Sequence, residues 1–204
     1  MNNKIFIYLD KLFSESKCEL NYEKDYELLI AIMLSAQTTD KRVNKVTSVL
    51  FKKYSSIKEL SMAKISDIED IIREIGTYKR KSVYVHEIAK RLYDDGYDYV
   101  PNNRIYIESM PGVGHKTANV FLANIYNEPT IAVDTHVARV SKRLNLVKET
   151  DDVKTIEKKL ERIIPKDRWN RTHHQLVLFG RYYCKAINPK CENCELKDIC
   201  KYKK

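Results

Sequence analysis

The chain has 204 residues, 43% of them hydrophobic, so it is long enough to bury a core in one domain or in two small ones. Its 37 lysines and arginines against 28 acidic residues give a formal net charge of +9, which is typical of proteins that contact phosphates but is also common in proteins that do not. The longest apolar run, residues 28–34, is too short to cross a membrane. With no leader-like segment at the N-terminus, we expect a cytoplasmic protein that does not enter a membrane.

Apolar residues recur at helical spacing along most of the chain, which predicts an all-α protein with short connections. The first clear stripe, residues 43–51, follows Asp40, a candidate N-cap, and a stripe of isoleucines over 65–75 precedes Gly76, a candidate C-cap. Two later stripes run over residues 88–93 and 153–164; the first precedes Gly96, and the second begins after Thr150, Asp151 and Asp152 and precedes Pro165.

Residues 104–125 predict two helices joined by a glycine hairpin. The first helix spans 104–109 and stops at Met110-Pro111, Gly112-Val113-Gly114 form a tight turn, and the second helix begins at His115. Glycine permits positive φ and close backbone approach, and amides beside a helix N-terminus favour phosphate. The hairpin is therefore either a turn without a ligand or a site that binds DNA through its backbone without reading the base sequence.

Lys116 gives the second interpretation of the hairpin more weight. We place it one turn into the second helix, where the positive end of the helix dipole is expected to lower its pKa. A neutral amine can attack a sugar carbon and form a Schiff base, although most surface lysines are only solvated. Asp134, which follows an apolar triplet, is a natural N-cap for the next helix. It can also act as a carboxylate opposite Lys116 that stabilises positive charge and assists proton movement.

Four of the five cysteines are clustered near the C-terminal end in the spacing C-x6-C-x2-C-x5-C, and these four are Cys184, Cys191, Cys194 and Cys200. This clustering favours a metal site over a disulfide framework. Four thiolates can hold either a zinc ion or a [4Fe–4S] cluster, and the spacing alone does not separate the two. The fifth cysteine, Cys18, is expected only to pack.

Five stretches together resemble the endonuclease III family of helix-hairpin-helix DNA glycosylases, over about residues 20–202. They are MPGVGHKTANVFL, PTIAVDTHVARV, LLIAIMLSAQTTD, HHQLVLFGRYYC and the cysteine set. The resemblance implies a bifunctional glycosylase and abasic-site lyase in which Lys116 attacks C1′ and Asp134 is the catalytic carboxylate. β-Elimination would then cut the strand on the 3′ side. The related adenine glycosylases, which generally stop at base removal, lack a lysine at this position.

The resemblance also implies the fold, the cofactor and the partner. It predicts a two-lobed fold with a six-helix barrel over 20–128, and a discontinuous cluster domain formed by 1–19 and 129–204. The catalytic cleft would lie between the lobes, with Lys116 and Asp134 facing across it. The four clustered cysteines would hold [4Fe–4S]. The substrate would be double-stranded DNA that carries oxidised or ring-fragmented pyrimidines or abasic sites, bound by a monomer.

An enzyme that acts on C1′ must rotate the nucleotide out of the stack and fill the gap. Gln37, at the end of the apolar helix, has an amide that can fill the gap; a polar helix cap is the alternative, and the resemblance supports the inserted role. Thr77 stands where members of the family often have a leucine, so the second inserted group is smaller and polar. Gly112, Val113 and Gly114 are expected to contact the DNA backbone, and the basic segments 77–91 and 180–204, each with a surplus of four positive charges, would flank it.

Three other functions compete with this interpretation. A monofunctional glycosylase for a different base would form no trappable covalent intermediate. A DNA-binding protein that uses only the hairpin would leave lesions uncut. An iron–sulfur electron-transfer protein would need the cysteines alone. His115 and His136 lie next to the candidate catalytic residues in sequence, but neighbouring residues on a helix point in different directions, so we assign them no chemistry.

Overall fold

The computed structural model describes residues 2–202, and Met1, Lys203 and Lys204 lie outside the described residues. Two of the lysines counted in the basic segment 180–204 are therefore not described. Every regular element between residues 2 and 202 is a helix, which confirms the predicted all-α class. Among these residues, no helix combines the length and the apolar character needed to cross a membrane. The described chain forms two compact units, one from Glu19–Tyr126 and the other from the residues up to Cys18 and from Asn127 onward.

The Glu19–Tyr126 unit is fully described and contains seven helices. These are α2 (Asp25–Leu34), α3 (Asp40–Lys53), α4 (Ile57–Ser61), α5 (Ile65–Ile71), α6 (Tyr78–Asp94), α7 (Arg104–Glu108) and α8 (His115–Ile125). The helices α3 and α6 each bury one apolar stripe, as expected for helices that pack with one face on a core.

Helix α2 is the central helix of this unit, because all of its residues from Tyr26 to Leu34 are buried. A helix that is apolar on every side is stable only when other elements surround it. Its start is set by Glu27, whose Oε2 accepts hydrogen bonds from the backbone amides of Glu23 (2.8 Å) and Lys24 (3.3 Å). These bonds satisfy amides at the entrance to the helix, so a buried glutamate has a structural role there.

The other unit contains α1 (Asn2–Leu12), α9 (Thr135–Arg143), α10 (Val153–Ile163) and α11 (Trp169–Leu178). A 3₁₀ turn (Lys166–Arg168) precedes α11 and a π-helical segment (Phe179–Tyr183) follows it. Apolar residues from all four α-helices form one core, which also includes Leu196 from the C-terminal loop. Helix α1 is bound to that loop by two exposed ion pairs, Lys4–Asp198 (2.7 Å) and Lys11–Glu195 (2.6 Å).

The structure confirms some of the predicted helix ends and corrects others. Asp152 caps α10 by accepting a hydrogen bond from the amide of Thr155, and Gly96 follows α6 with a φ of 78°. The N-cap of α3 is Thr39 rather than Asp40, which is the first helical residue. Gly76 is not the C-cap of α5, because that helix already ends at Ile71. Ile72 and Ile75 are still buried, but they lie in turns after the helix, so burial at helical spacing extends beyond the helix itself.

Candidate functional site

The glycine hairpin between α7 and α8 has the predicted geometry. Met110 accepts a hydrogen bond from the amide of Val113 (3.1 Å), which closes the turn. Gly112 has a φ of 75°, a left-handed conformation that favours glycine. A Cβ on Gly112 would lie 2.5 Å from Tyr84 Cδ2 and 3.1 Å from Met33 Cγ. The fold itself therefore requires glycine at position 112, where the turn packs against α2 and α6.

Val113 and Gly114, the other two residues of the turn, are under different structural constraints from Gly112. Val113 is buried, and its amide is already used inside the turn. Gly114 is the N-cap of α8 with a φ of −98°, and a Cβ on it would meet nothing within 4 Å. Neither backbone conformation nor packing requires a glycine at position 114. Its missing side chain leaves open space beside the N-terminus of α8, which suits an approaching phosphate.

Lys116 is the second residue of α8, so it lies in the first turn of the helix rather than one turn inside it. Its side chain is exposed. Among residues 2–202, the ammonium forms no hydrogen bond and no ion pair, a state that it shares with many other surface lysines of the chain. An amine without a partner beside a helix N-terminus is available to a ligand, because no carboxylate must first be displaced.

A polar network joins α7 to α8 just behind the turn. Arg104 Nη1 donates to Glu108 Oε1 (3.2 Å) and to Asn119 Oδ1 (2.7 Å). The His115 ring contacts Glu108 Oε1 through Nδ1 (3.1 Å) and Asn119 Nδ2 through Nε2 (3.2 Å). The network links the two helices through two residue pairs, Arg104 with Asn119 and Glu108 with His115. We infer that it fixes the angle at which α8 presents Lys116. His115 thus takes part in the contact between α7 and α8.

Gln37 and Thr77 lie in two short loops that are adjacent in the structure. Gln37 lies between α2 and α3, and Thr77 is the N-cap residue of α6. Both side chains are exposed, and both backbones are left-handed with a φ of 58°. A Cβ on Gly76 would lie 4.0 Å from the carbonyl oxygen of Gln37, so the two loops are in contact. Non-glycine residues with positive φ are uncommon and often occur at functional sites.

Asp134 belongs to the unit that contains α9. As predicted, it is the N-cap of that helix, and its Oδ1 accepts a hydrogen bond from the amide of Val137 (2.7 Å). Because one oxygen satisfies the cap, the structural role does not prevent the carboxylate from also acting on a ligand. His136 follows in the first turn, and burial lowers its pKa, which favours a neutral ring.

The four clustered cysteines line one cavity at the end of the π-helical segment. All four are free of disulfides, and burial followed by the neighbouring thiols raises the pKa of Cys194 and of Cys200. Within residues 2–202, no three His, Cys, Asp or Glu side chains converge as ligands of a single metal ion. Four thiols that line one cavity supply the donor set of a [4Fe–4S] cluster, in which each thiolate binds a different iron.

Two arginines of α9 hold the cysteine loop in place. Arg139 donates to the carbonyl oxygens of Gly180 (2.6 Å) and Cys184 (3.2 Å). Arg143 donates to Lys185 O (2.7 Å) and approaches Cys184 Sγ (3.4 Å), so it contacts a candidate cluster ligand directly. A Cβ on Gly180 would lie 2.8 Å from His136 Cβ, which shows how closely the π-helical segment packs on α9. Sequence reasoning missed both arginines, because nothing in their spacing distinguishes them from surface residues.

Lys81 corrects the interpretation of the basic segment 77–91. The charge count treats it as a possible phosphate contact, but only 6% of the residue is exposed. Its ammonium donates instead to the carbonyl oxygens of Leu34 (2.8 Å) and Ala36 (2.7 Å). A net charge cannot show this, because a lysine whose ammonium is bound to backbone carbonyls contributes as much to the count as one in water.

Comparisons with known families agree with this geometry. The HhH-GPD superfamily of base excision DNA repair proteins matches residues 30–166, a range that begins within α2, ends after α10 and includes the hairpin. The iron–sulfur binding domain of endonuclease III matches residues 184–200, which include all four clustered cysteines. The cofactor is thus a [4Fe–4S] cluster, which the arrangement of the thiols also fits.

Characterised relatives cover almost the whole chain. Endonuclease III of Bacillus subtilis is 42% identical over 95% of this chain and 90% of its own length. Endonuclease III of Escherichia coli K12 is 38% identical over 91% of this chain and 87% of its own length. Similar solved structures include a trapped endonuclease III–DNA covalent intermediate, with a TM-score of 0.92, 43% identity and coverage of 98% and 96% of the two chains. A thermostable thymine-DNA glycosylase shares the fold, with a TM-score of 0.85 and coverage of 98% and 96%, at 24% identity.

These matches extend across both units, the hairpin and the cysteine cluster, and they confirm the helix-hairpin-helix glycosylase fold that the sequence predicts. The chain therefore belongs to the endonuclease III family of HhH-GPD base excision DNA repair proteins, and it is a DNA glycosylase with abasic-site lyase activity.

Proposed function

We propose that this enzyme removes oxidised pyrimidines from duplex DNA and then cuts the strand through a Schiff base on Lys116. The observation that supports this most directly is the exposed, unpartnered ammonium of Lys116 in the first turn of α8, next to the hairpin. The similar structure of a trapped endonuclease III–DNA covalent intermediate supports a covalent step in this family.

In the first step the neutral amine of Lys116 attacks C1′, the C1′–N bond breaks, and the base leaves with a proton. The sugar ring then opens as the ring oxygen takes up a proton, which leaves an imine between Lys116 and C1′. The imine makes the C2′ proton acidic. Removal of that proton expels the 3′ phosphate by cleavage of the C3′–O bond, and hydrolysis of the remaining imine frees the lysine.

We assign two tasks to Asp134. Its carboxylate stabilises the positive charge that develops at C1′ as the base leaves, and it assists proton movement at the attacking amine. The same carboxylate begins α9 through the 2.7 Å bond to Val137. That bond restricts the orientation of the carboxylate, and a pre-oriented charge stabilises a transition state at a smaller reorganisation cost than a mobile one.

The hairpin and the two left-handed loops would handle the DNA. The open space at Gly114 lets a phosphate approach the amides at the N-terminus of α8, and this contact carries no base specificity. Gln37 and Thr77 would fill the gap left by the extruded nucleotide, with the amide of Gln37 as hydrogen-bonding partner of the base left unpaired. The [4Fe–4S] cluster, when bound, cross-links four cysteines, and we assign its free energy of binding to holding the C-terminal loop. We further propose that the enzyme acts as a monomer in the cytoplasm, on the nucleoid.

Borohydride trapping tests the proposal on two duplexes, one with an oxidised pyrimidine and one with an abasic site. The variants are wild type, Lys116→Gln and the control Lys53→Gln, which changes an exposed lysine that pairs with Asp67 on α5. We expect a covalent adduct on both duplexes with wild type and the control, and none with Lys116→Gln.

The alternatives give different results. An adduct on the abasic duplex alone would retain the lyase but refute the assignment of oxidised pyrimidines. Base release by wild type without any adduct would indicate a monofunctional glycosylase. If Lys116→Gln only weakened DNA binding and wild type left every lesion strand intact, the chain would be a binding module and the proposal would be wrong.

A further inference from the structure

Lys81 is a buried lysine for which the proposed chemistry has no role, and it contacts both of the loops that carry Gln37 and Thr77. Its side-chain ammonium donates to the carbonyl oxygens of Leu34 and Ala36, at the end of α2 and in the Gln37 loop. Its backbone amide donates to the carbonyl oxygen of Thr77 (3.1 Å). That bond belongs to the first turn of α6, which Thr77 precedes as N-cap, so the side chain of Lys81 connects the start of α6 to the Gln37 loop.

The chemistry of these contacts explains why a lysine occupies this position. The last carbonyls of a helix have no partner within the helix, and a cation beside them also interacts favourably with the helix dipole. Burial lowers the pKa of Lys81, and the charge of Arg80 lowers it further. The two short bonds to carbonyl oxygens offset that cost. A hydrophobic side chain at this position would leave two carbonyls of the Gln37 loop without their donor.

The loops need such support because both are held in an uncommon conformation. Gln37 and Thr77 each have a φ of 58°, a sparsely populated conformation that persists only where the surrounding structure compensates for its strain. Both side chains are exposed at the place where the loops touch. Both side chains are therefore accessible to a bound duplex.

We propose that Lys81 is a positioning residue for nucleotide extrusion, and that it locks the Gln37 and Thr77 loops together so that both side chains enter the DNA as one unit. The inference rests on the proposed function, because it takes these two side chains as the groups that fill the gap. Lys81 itself touches no reacting atom. Its effect passes through the conformation of Gln37, so it should change extrusion and leave the covalent chemistry at Lys116 unchanged.

The test compares Lys81→Met, which keeps the length and apolar stem of the side chain, with Lys53→Met, an exposed control in the same unit. Single-turnover cleavage is measured on a duplex with an oxidised pyrimidine, and borohydride trapping on a single-stranded abasic oligonucleotide, from which nothing has to be extruded. 2-Aminopurine placed opposite the lesion reports unstacking through its fluorescence. We expect Lys81→Met to slow duplex cleavage roughly ten- to hundredfold and to reduce the fluorescence change, with trapping on the single strand unchanged.

A double-mutant cycle shows whether Lys81 acts through Gln37. If it does, Lys81→Met should have little further effect in a Gln37→Ala background, because the group that it positions is already absent. Independent effects of the two substitutions on duplex cleavage would overturn the proposal. So would equal losses on the duplex and on the single strand, since a general loss of structure affects both.

A second cycle, Gln37→Ala with Thr77→Ala, decides the question if Lys81→Met does not fold, because it leaves Lys81 intact. Coupling between these two substitutions in the fluorescence signal is expected if the loops act as one unit, and strict additivity would refute it. Failure of the proposed chemistry gives a separate result. In that case wild type would form no adduct on any substrate, while the 2-aminopurine signal would still report whether Lys81 controls unstacking.

Discussion

Substitutions at Asp134 separate its structural role from its proposed catalytic role, because the two depend on different properties of the side chain. The cap needs only an acceptor at the position of Oδ1, which bonds the Val137 amide at 2.7 Å. The proposed chemistry needs a negative charge. Asp134→Asn keeps the acceptor and removes the charge, whereas Asp134→Ala removes both.

The two substitutions should therefore have different effects on stability but similar effects on activity. Loss of an N-cap costs about 0.5–2 kcal/mol, and in a chain of this size each kcal/mol lowers the Tm by about 2–4 °C. Asp134→Ala should thus melt several degrees below wild type. Asp134→Asn should lose only the interaction of the charge with the helix dipole, about 0.3–1 kcal/mol. Both should lower single-turnover base release by roughly a hundredfold or more.

The measurements are thermal unfolding by circular dichroism and single-turnover cleavage of a duplex with an oxidised pyrimidine. Near-wild-type cleavage by Asp134→Asn, together with a loss of both stability and activity in Asp134→Ala, would refute the catalytic assignment and leave the cap as the only role. Asp134→Ser is the control, because serine also caps a helix but carries no charge, and it should behave like Asp134→Asn.

Two further predictions concern the hairpin and the response to acid. Gly112→Ala should lower the free energy of unfolding by about 1–3 kcal/mol, because alanine meets Tyr84 and has to adopt positive φ. Gly114→Ala should lower it by less than about 1 kcal/mol and should mainly weaken DNA binding, measured by fluorescence-anisotropy titration. Wild-type DNA affinity for Gly114→Ala would contradict a close phosphate approach at that residue. Burial lowers the pKa of His174 from 6.5 to about 4, so its contribution to stability is present above pH 6.5 and is lost as the pH falls towards 4. That contribution is at most roughly 3 kcal/mol. In urea titrations between pH 6.5 and 4, the unfolding free energy of His174→Gln should fall less steeply with decreasing pH than that of wild type. An unchanged dependence on pH would show that His174 is not responsible.

Residues whose amino-acid type is dictated by local backbone geometry or by ligand chemistry could be predicted from the sequence. Gly112 has positive φ, and a Cβ at this position would lie 2.5 Å from a neighbouring side chain. Both constraints require glycine, and the glycine-rich turn in the sequence already indicates them. Asp134 could be identified as a cap because an acceptor before a helix has a known local function. The four cysteines could be identified as a metal site, but their spacing alone leaves zinc and iron–sulfur open, and the family resemblance together with the match to the iron–sulfur domain favours the cluster.

Residues whose role depends on contacts between distant segments could not be predicted. Lys81 reaches carbonyl oxygens 45 and 47 residues earlier in the chain, and Arg139 reaches carbonyls 41 and 45 residues later. In the sequence each is recognisable only as a positive charge, since periodicity and composition describe local preferences and do not show which loops meet. The conformation of Thr77 was also missed, because threonine gives no local signal of positive φ.

The replacement of a leucine by Thr77 can now be interpreted in terms of the loop that holds it. The Thr77 hydroxyl donates to the carbonyl oxygen of Gly76 (2.6 Å), a bond that leucine cannot form. Threonine therefore exchanges apolar volume for a local bond in a strained loop, and less apolar surface is available to fill a gap in the duplex. The larger share of the gap would then fall to Gln37, whose loop Lys81 binds through two carbonyl oxygens. This chain should accordingly depend more on Lys81 than a relative that carries leucine at position 77.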